Sequence, residues 1–138
     1  MINFTIPGKP IPLKRHRPSA RGGYYDPSSK DKKQTWLQIA KYKPKRPLKR
    51  AISLKLIFYM PIPKSFFRSG KYMLLLKEKY KDINYHSVKP DLDNLVKFYS
   101  DLLGMNKGFY IDDSQICSIH AEKKYGEPRT EIAIQEIP

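Results

Sequence analysis

Carboxylates are scarce in this chain, and they gather. Against 27 Lys and Arg there are only 13 Asp and Glu. Two lie in Lys89-Pro90-Asp91-Leu92-Asp93-Asn94-Leu95-Val96-Lys97, and another two are adjacent at Asp112-Asp113. Inside one helix, Asp91 and Asp93 would point roughly 200° apart. They converge if Asp91 takes the extended position that opens the helix while Asp93 lies in its first turn. Pro90 favours that opening, because it disfavours a helical conformation for Lys89. Lys97, four residues after Asp93, projects on the same face. Adjacent residues in an extended segment face opposite ways, so one of Asp112 and Asp113 can join the first pair. Three carboxylates meeting on a basic surface suit Mg²⁺, which takes one or two acidic ligands, keeps waters and accepts phosphate oxygens. A metal so held activates water and offsets charge at phosphorus.

Each piece also has a plain structural use. Asp-x-Asp at a helix N-terminus is a common cap with a favourable dipole contact. Asp112-Asp113 fits a turn, and Asp93 with Lys97 fits a surface pair worth about 0.2–0.5 kcal/mol. Only in combination, within a strongly cationic chain, do they point to metal-dependent phosphodiester chemistry.

The charge supplies the partner. A net +14 over 138 residues exceeds the magnitude of about 2–8 that solubility asks of a small domain. Nucleic acid accounts for it best, since Lys and Arg release condensed counterions from phosphates. An anionic membrane surface fits less well, because no segment pairs a strongly apolar face with a basic one. No apolar run reaches the length of a membrane span. The first residues lack the basic-then-apolar pattern of a signal peptide, and the single cysteine, Cys117, excludes an internal disulfide framework. An intracellular, soluble protein is expected. Ten tyrosines and six phenylalanines argue for a packed core rather than disorder.

The length allows one domain spanning residues 1–138. Ile2, Phe4 and Ile6 alternate as a first strand ending at Pro7-Gly8. Residues 7–29 read as an irregular basic loop carrying Lys14, Arg15, His16, Arg17 and Arg21. A helix is expected from about Ser29 to Tyr42, then a strand over Ala51–Met60 with Ile52, Leu54, Leu56, Phe58 and Met60 on one face. A short amphipathic helix is expected from near Ser69. Asp91 to Leu103 carries Leu92, Leu95, Val96, Tyr99, Leu102 and Leu103 at helical spacing, with Gly104 as its C-terminal cap. Strands over about Gln115–Lys123 and Thr130–Glu136 complete the order β-α-β-α-α-β-β. That order suits a single small α+β domain, a short mixed β-sheet with helices packed on it.

The string Lys89-Pro90-Asp91-x-Asp93-Asn94-Leu95-x-Lys97-x-x-x-Asp101-x-Leu103, followed by Asp112-Asp113-x-Gln115-Ile116, resembles the RusA family of Holliday junction resolvases. The likeness extends to Phe4-Thr5-Ile6-Pro7-Gly8-Lys9-Pro10 and to Met60-Pro61-Ile62-Pro63, so it touches most of the chain in the same order. It implies a RusA-like fold and a homodimeric endonuclease, of a bacterial host or phage, acting in the cytoplasm on four-way DNA junctions. Each subunit would cut one strand with Mg²⁺ or Mn²⁺, leaving a 5′-phosphate and a 3′-hydroxyl. Family positions carry over to Asp91, Asp93 and Asp113 as metal-coordinating carboxylates and to Lys97 as the essential lysine. Asp112 matches the other member of the acidic pair. The best-known bacterial member has an arginine run before its Asp-x-Asp, where this chain has His86-Ser87-Val88-Lys89-Pro90. That sequence, and a longer stretch after Met60, resemble the phage and prophage branch.

Within that reading, Lys97 either holds the carboxylates in place or neutralises the scissile phosphate. Lys14, Arg15, Arg17, Arg21 and Lys89 are the candidate DNA contacts, touching phosphates without reading sequence. His16 and His86 are read as polar residues rather than general bases, and Cys117 as a small core residue. Phe66 and Phe67 are expected to pack under their loop rather than wedge into DNA. Asp101 either supports the metal shell or pairs with a lysine. The rivals are a basic DNA-binding module without catalysis and a less selective branched-DNA nuclease.

Overall fold

Ala51–Met60 is an interior strand of the sheet, and its alternation dictates the layer it builds. The computed structural model describes residues 1–15 and 17–138. In chain order the elements are β1 (Ile2–Pro7), β2 (Arg17–Pro18), β3 (Tyr24–Tyr25), α1 (Ser29–Ile39), β4 (Ala51–Met60), α2 (Leu92–Gly104), β5 (Ile116–Tyr125) and β6 (Arg129–Ile137). The four long strands form one mixed sheet in the order β1-β6-β4-β5. β6 is antiparallel to both β1 and β4, whereas β5 runs parallel to β4 across the α2 crossover. The fold is α+β, as expected.

On β4, Ile52, Leu54, Leu56, Phe58 and Met60 all face the core and are fully buried. Leu54 and Leu56 pair with Ile134 and Ile132 of β6, and Phe4 and Ile6 of β1 extend the same face. α2 covers it with Leu95, Phe98, Tyr99, Leu102 and Leu103, whose three- and four-residue spacing makes one apolar stripe. α1 adds Ile39 and half-buried Trp36, whose indole meets Phe109 edge-on at 6.0 Å. Gly108 exists for that contact, since a Cβ there would lie 2.0 Å from the Trp36 ring. The opposite face of the sheet carries Ser53 and Lys55 of β4 with His120 and Glu122 of β5, of which Lys55 and His120 are exposed and the other two half-buried.

Four expectations need correction. The helix from Ser69 does not form. Gly70 takes φ +69°, which breaks helical propagation, and residues 64–82 fold as a looped hairpin with short 3₁₀ turns at Gly70–Tyr72 and Glu78–Tyr80. Gly104 is the last residue of α2 at φ −85°, and the left-handed turn falls on Asn106 and Lys107 instead. The reason is local: a side chain on Gly104 would press on the Tyr110 ring at 3.1 Å. The basic loop is not wholly irregular, because β2 and β3 pair as a two-residue ribbon. Cys117 is exposed rather than buried, since β5 is an edge strand. His16 lies outside the described residues.

Candidate active site

Asp91 is the N-cap of α2, in extended conformation (φ −70°, ψ 142°), and its side chain makes no capping hydrogen bond. Asp93 follows in the first helical turn, where its Oδ1 accepts from the Asn94 N–H at 3.0 Å. The backbone is thus extended at Asp91 and helical from Leu92 onward. Beside Asp93 an open groove of about 650 Å³ runs between α2 and the start of β5. Asp93, Lys97 and Asp113 line it together with the apolar side chains of Leu92, Val96, Ile116 and Ile119.

Lys97 is the link across the groove. Its Nζ lies 3.2 Å from Asp101 Oδ1 and 3.6 Å from Asp113 Oδ2. Hydrogen bonding and charge from Asp101, then from Asp113, push its pKa above the ordinary lysine value, so the ammonium form is secured. Asp101 is in turn 3.5 Å from Lys32 Nζ of α1, which also meets Asp26 at 2.9 Å. The result is an alternating chain of charge, Asp26–Lys32–Asp101–Lys97–Asp113, running from the base of the basic loop to the groove.

The second acidic pair divides its labour. Asp112 closes a capping box: its Oδ2 accepts from the Ser114 N–H at 3.2 Å, and its own N–H donates to Gln115 Oε1 at 2.9 Å. The Ser114 hydrogen bonds hold its carboxyl below the ordinary range. Asp113, freed from capping, turns to Lys97. Gln115 uses its whole amide, since Oε1 also accepts from the Ile111 N–H and Nε2 donates to the carbonyls of Leu48 and Arg50.

On the other side of the helix start, Lys123 of β5 donates to the carbonyls of Val88 and Pro90 at 2.5 and 2.6 Å. The His86 N–H donates to the Lys123 carbonyl at 3.0 Å, so residues 86–90 are tied to β5 just before Asp91. Lys89 is exposed beside this segment, and Lys14, Arg15, Arg17 and Arg21 are exposed along the basic loop.

The structure brings Asp93, Lys97 and Asp113 to one groove and leaves Asp91 off its lining. Among the described residues, no three His, Cys, Asp or Glu side chains stand together as a ready-made metal cage. The donors offered are all carboxylate oxygens, the chemistry of a hard dication that completes its shell with waters and phosphate oxygens.

A family model described as "Endodeoxyribonuclease RusA" matches residues 7–135. The chain belongs to the RusA endodeoxyribonuclease family. It is 30% identical over 115 residues to the crossover junction endodeoxyribonuclease rusA of Lactococcus phage r1t, covering 83% of this chain and 78% of that one. It is also 35% identical to the uncharacterized protein YqaN of Bacillus subtilis (strain 168), across 99% of this chain and 96% of the relative. Two residues that hold this arrangement in place, Lys32 and Lys123, escape the motif reading, and a third, Gln115, stands in the motif without a role assigned to it. Lys32 and Lys123 lie far from it in sequence and carry no local signal. Gln115 was visible in principle, because Asp112-x-x-Gln115 has capping-box spacing.

Proposed function

We propose that the protein is a metal-dependent endodeoxyribonuclease that resolves four-way DNA junctions by paired symmetric nicks, acting as a homodimer with one groove per subunit. The observation that carries this reading is Lys97 held between Asp101 and Asp113 in the groove that Asp93 also lines, within a chain of the RusA family. Asp93 and Asp113 would hold Mg²⁺ (or Mn²⁺), with Asp91 joining from the helix cap and Asp112 kept to capping. A dication bound there supplies an activated water and neutralises charge gathering on the phosphodiester.

The chain's own residues do the rest. Lys97 presents a fixed ammonium to the scissile phosphate, kept from collapsing onto Asp113 by its bond to Asp101. The apolar lining of Leu92, Val96, Ile116 and Ile119 lowers the polarity beside the reacting group and strengthens the charge contacts there. Lys14, Arg15, Arg17, Arg21 and Lys89 grip flanking phosphates, which sets the register of the DNA without reading bases. Attack of water breaks the P–O3′ bond, leaving a 5′-phosphate and a 3′-hydroxyl that a ligase can rejoin.

The deciding test is incubation with a four-way junction and a matched linear duplex, in EDTA or Mg²⁺, alongside Asp91→Asn, Asp93→Asn and Asp113→Asn. Paired nicks on the junction alone, dependent on Mg²⁺ and lost in the variants, are expected. Cutting of both substrates would replace junction selectivity with a general nuclease. Binding without cutting in Mg²⁺ and Mn²⁺ would overturn catalysis and leave a basic DNA-binding module.

A further inference from the structure

Residues 64–82, between β4 and the segment leading to Asp91, end in an apolar tip that faces water. Tyr72 is 49% exposed, Met73 65%, Leu74 85% and Leu75 51%. This exposure is built rather than accidental. The Arg68 N–H donates to the Leu75 carbonyl at 2.8 Å, the Lys77 N–H donates to the Phe66 carbonyl at 2.8 Å, and Phe67 bridges to Leu76. Phe66 stacks on Tyr80 at 3.9 Å, nearly parallel, and meets Tyr125 of β5 at 5.2 Å. The phenylalanine stack thus braces the hairpin against the sheet and leaves the aliphatic tip outside. Lys64 and Arg68 line one cavity with Met73 and Leu74, Lys71, Lys77, Lys79 and Lys81 lie in the same segment, and Glu78 is already paired with Lys81 at 2.7 Å.

A cluster of exposed apolar side chains in a cationic segment favours a polyanionic occupant with apolar surface to offer. A second copy of this surface would bring like charges together. DNA accepts both features: phosphates take the cations, and apolar side chains wedge between base steps that they unstack. The cost is least where base pairs already lack a stacking neighbour, as at a branch point. We propose that Met73, Leu74 and Leu75 form a wedge that enters the centre of a branched DNA and unstacks the bases there, the segment's lysines and Arg68 holding the flanking phosphates. This inference rests on the nuclease reading for its substrate, but not on the metal chemistry.

The test is a four-way junction carrying 2-aminopurine at the branch point, with a second junction carrying it mid-arm, titrated in EDTA so that no strand is cut. Binding of the wild type raises branch-point fluorescence and leaves the arm probe unchanged. The double variant Met73→Ser/Leu74→Ser, shown folded by an unchanged thermal melt, loses most of that rise. It still binds through its phosphate contacts, within about threefold of wild type at fixed salt. A full rise in the variant, or an equal rise at the arm probe, overturns the wedge. So does loss of adsorption to anionic vesicles with the junction signal unchanged, which would make the tip a membrane contact. A wild type that binds and cuts junctions without any rise overturns the wedge alone. A wild type that does not bind junctions overturns both this inference and the nuclease reading.

Discussion

Asp101 of α2 is shared by two lysines, Lys32 of α1 at 3.5 Å on Oδ2 and Lys97 of its own helix at 3.2 Å on Oδ1. Lys32 is the more buried of the two, with only 12% of its side chain exposed against 54% for Lys97. The anchored lysine therefore fixes the carboxylate, and the carboxylate fixes the mobile one at the groove.

Asp101→Asn should release Lys97 while leaving Asp93 and Asp113 in place. Supporting partners of this kind are worth about 10–100-fold in activity. The expected outcome is a fall in kcat of that size with KM for the junction little changed, and partial recovery in Asp101→Glu. A raised KM at unchanged kcat would assign Asp101 to DNA binding instead.

Gln115→Glu exchanges the Nε2 donor for a carboxylate oxygen facing the carbonyls of Leu48 and Arg50. Loss of those bonds, with acceptors now opposed, should cost about 1–3 kcal/mol. Urea unfolding measures it, and the loop holding Asp113 should gain amide exchange. Equal stability of the two proteins would refute a structural role for the amide.

Lys123→Met removes the ammonium that holds the Val88 and Pro90 carbonyls. Hydrogen bonds to charged groups contribute about 1.5–3 kcal/mol, and this pair should cost that order in stability. Faster exchange is expected at Ser87, Lys89 and Asp91, with slower cutting. A variant as protected as wild type at those amides would show that the loop holds itself.

His86 gives the pH dependence. Burial first, then the charges of Lys123 and Lys9, depress its pKa below the usual 6.5. The fold therefore favours the neutral ring. Stability from this group is complete above pH 6.5 and is lost as pH falls through the lowered folded value. Urea midpoints between pH 7.5 and 5 should drop less in His86→Gln than in wild type. Parallel drops would remove His86 from the account.

Much of this arrangement is legible in the residues themselves. β4 is delimited by its alternation and by Pro61, and α2 by a stripe whose spacing admits one face. The start of α2, with Asp91 at its N-cap, falls where Pro90 places it. What is not legible depends on distant packing. Tyr72–Leu76 has helical composition, yet no surface is offered to bury it, and Gly70 turns the chain instead. Gly104 has the look of a cap, but Tyr110 occupies the space beside it. Lys32 and Lys123 enter the site only because α1 and β5 lie against α2 and its leading segment.

The basic loop is stitched to α2 by its backbone. The Leu13 N–H donates to the Asn94 carbonyl at 3.0 Å, and the Ile11 N–H to Tyr99 Oη at 3.0 Å. Asn94 is the residue after Asp93, so a pull on the loop is felt one peptide away from a carboxylate of the groove. Thermodynamic coupling has no preferred direction. With a dication in the groove as proposed, whatever affinity for it a bound DNA adds by drawing on this stitch would be returned in equal measure as affinity for the DNA. An apoprotein and a loaded protein would then differ in grip as well as in reactivity, and their junction dissociation constants would separate by the same factor as their metal dissociation constants.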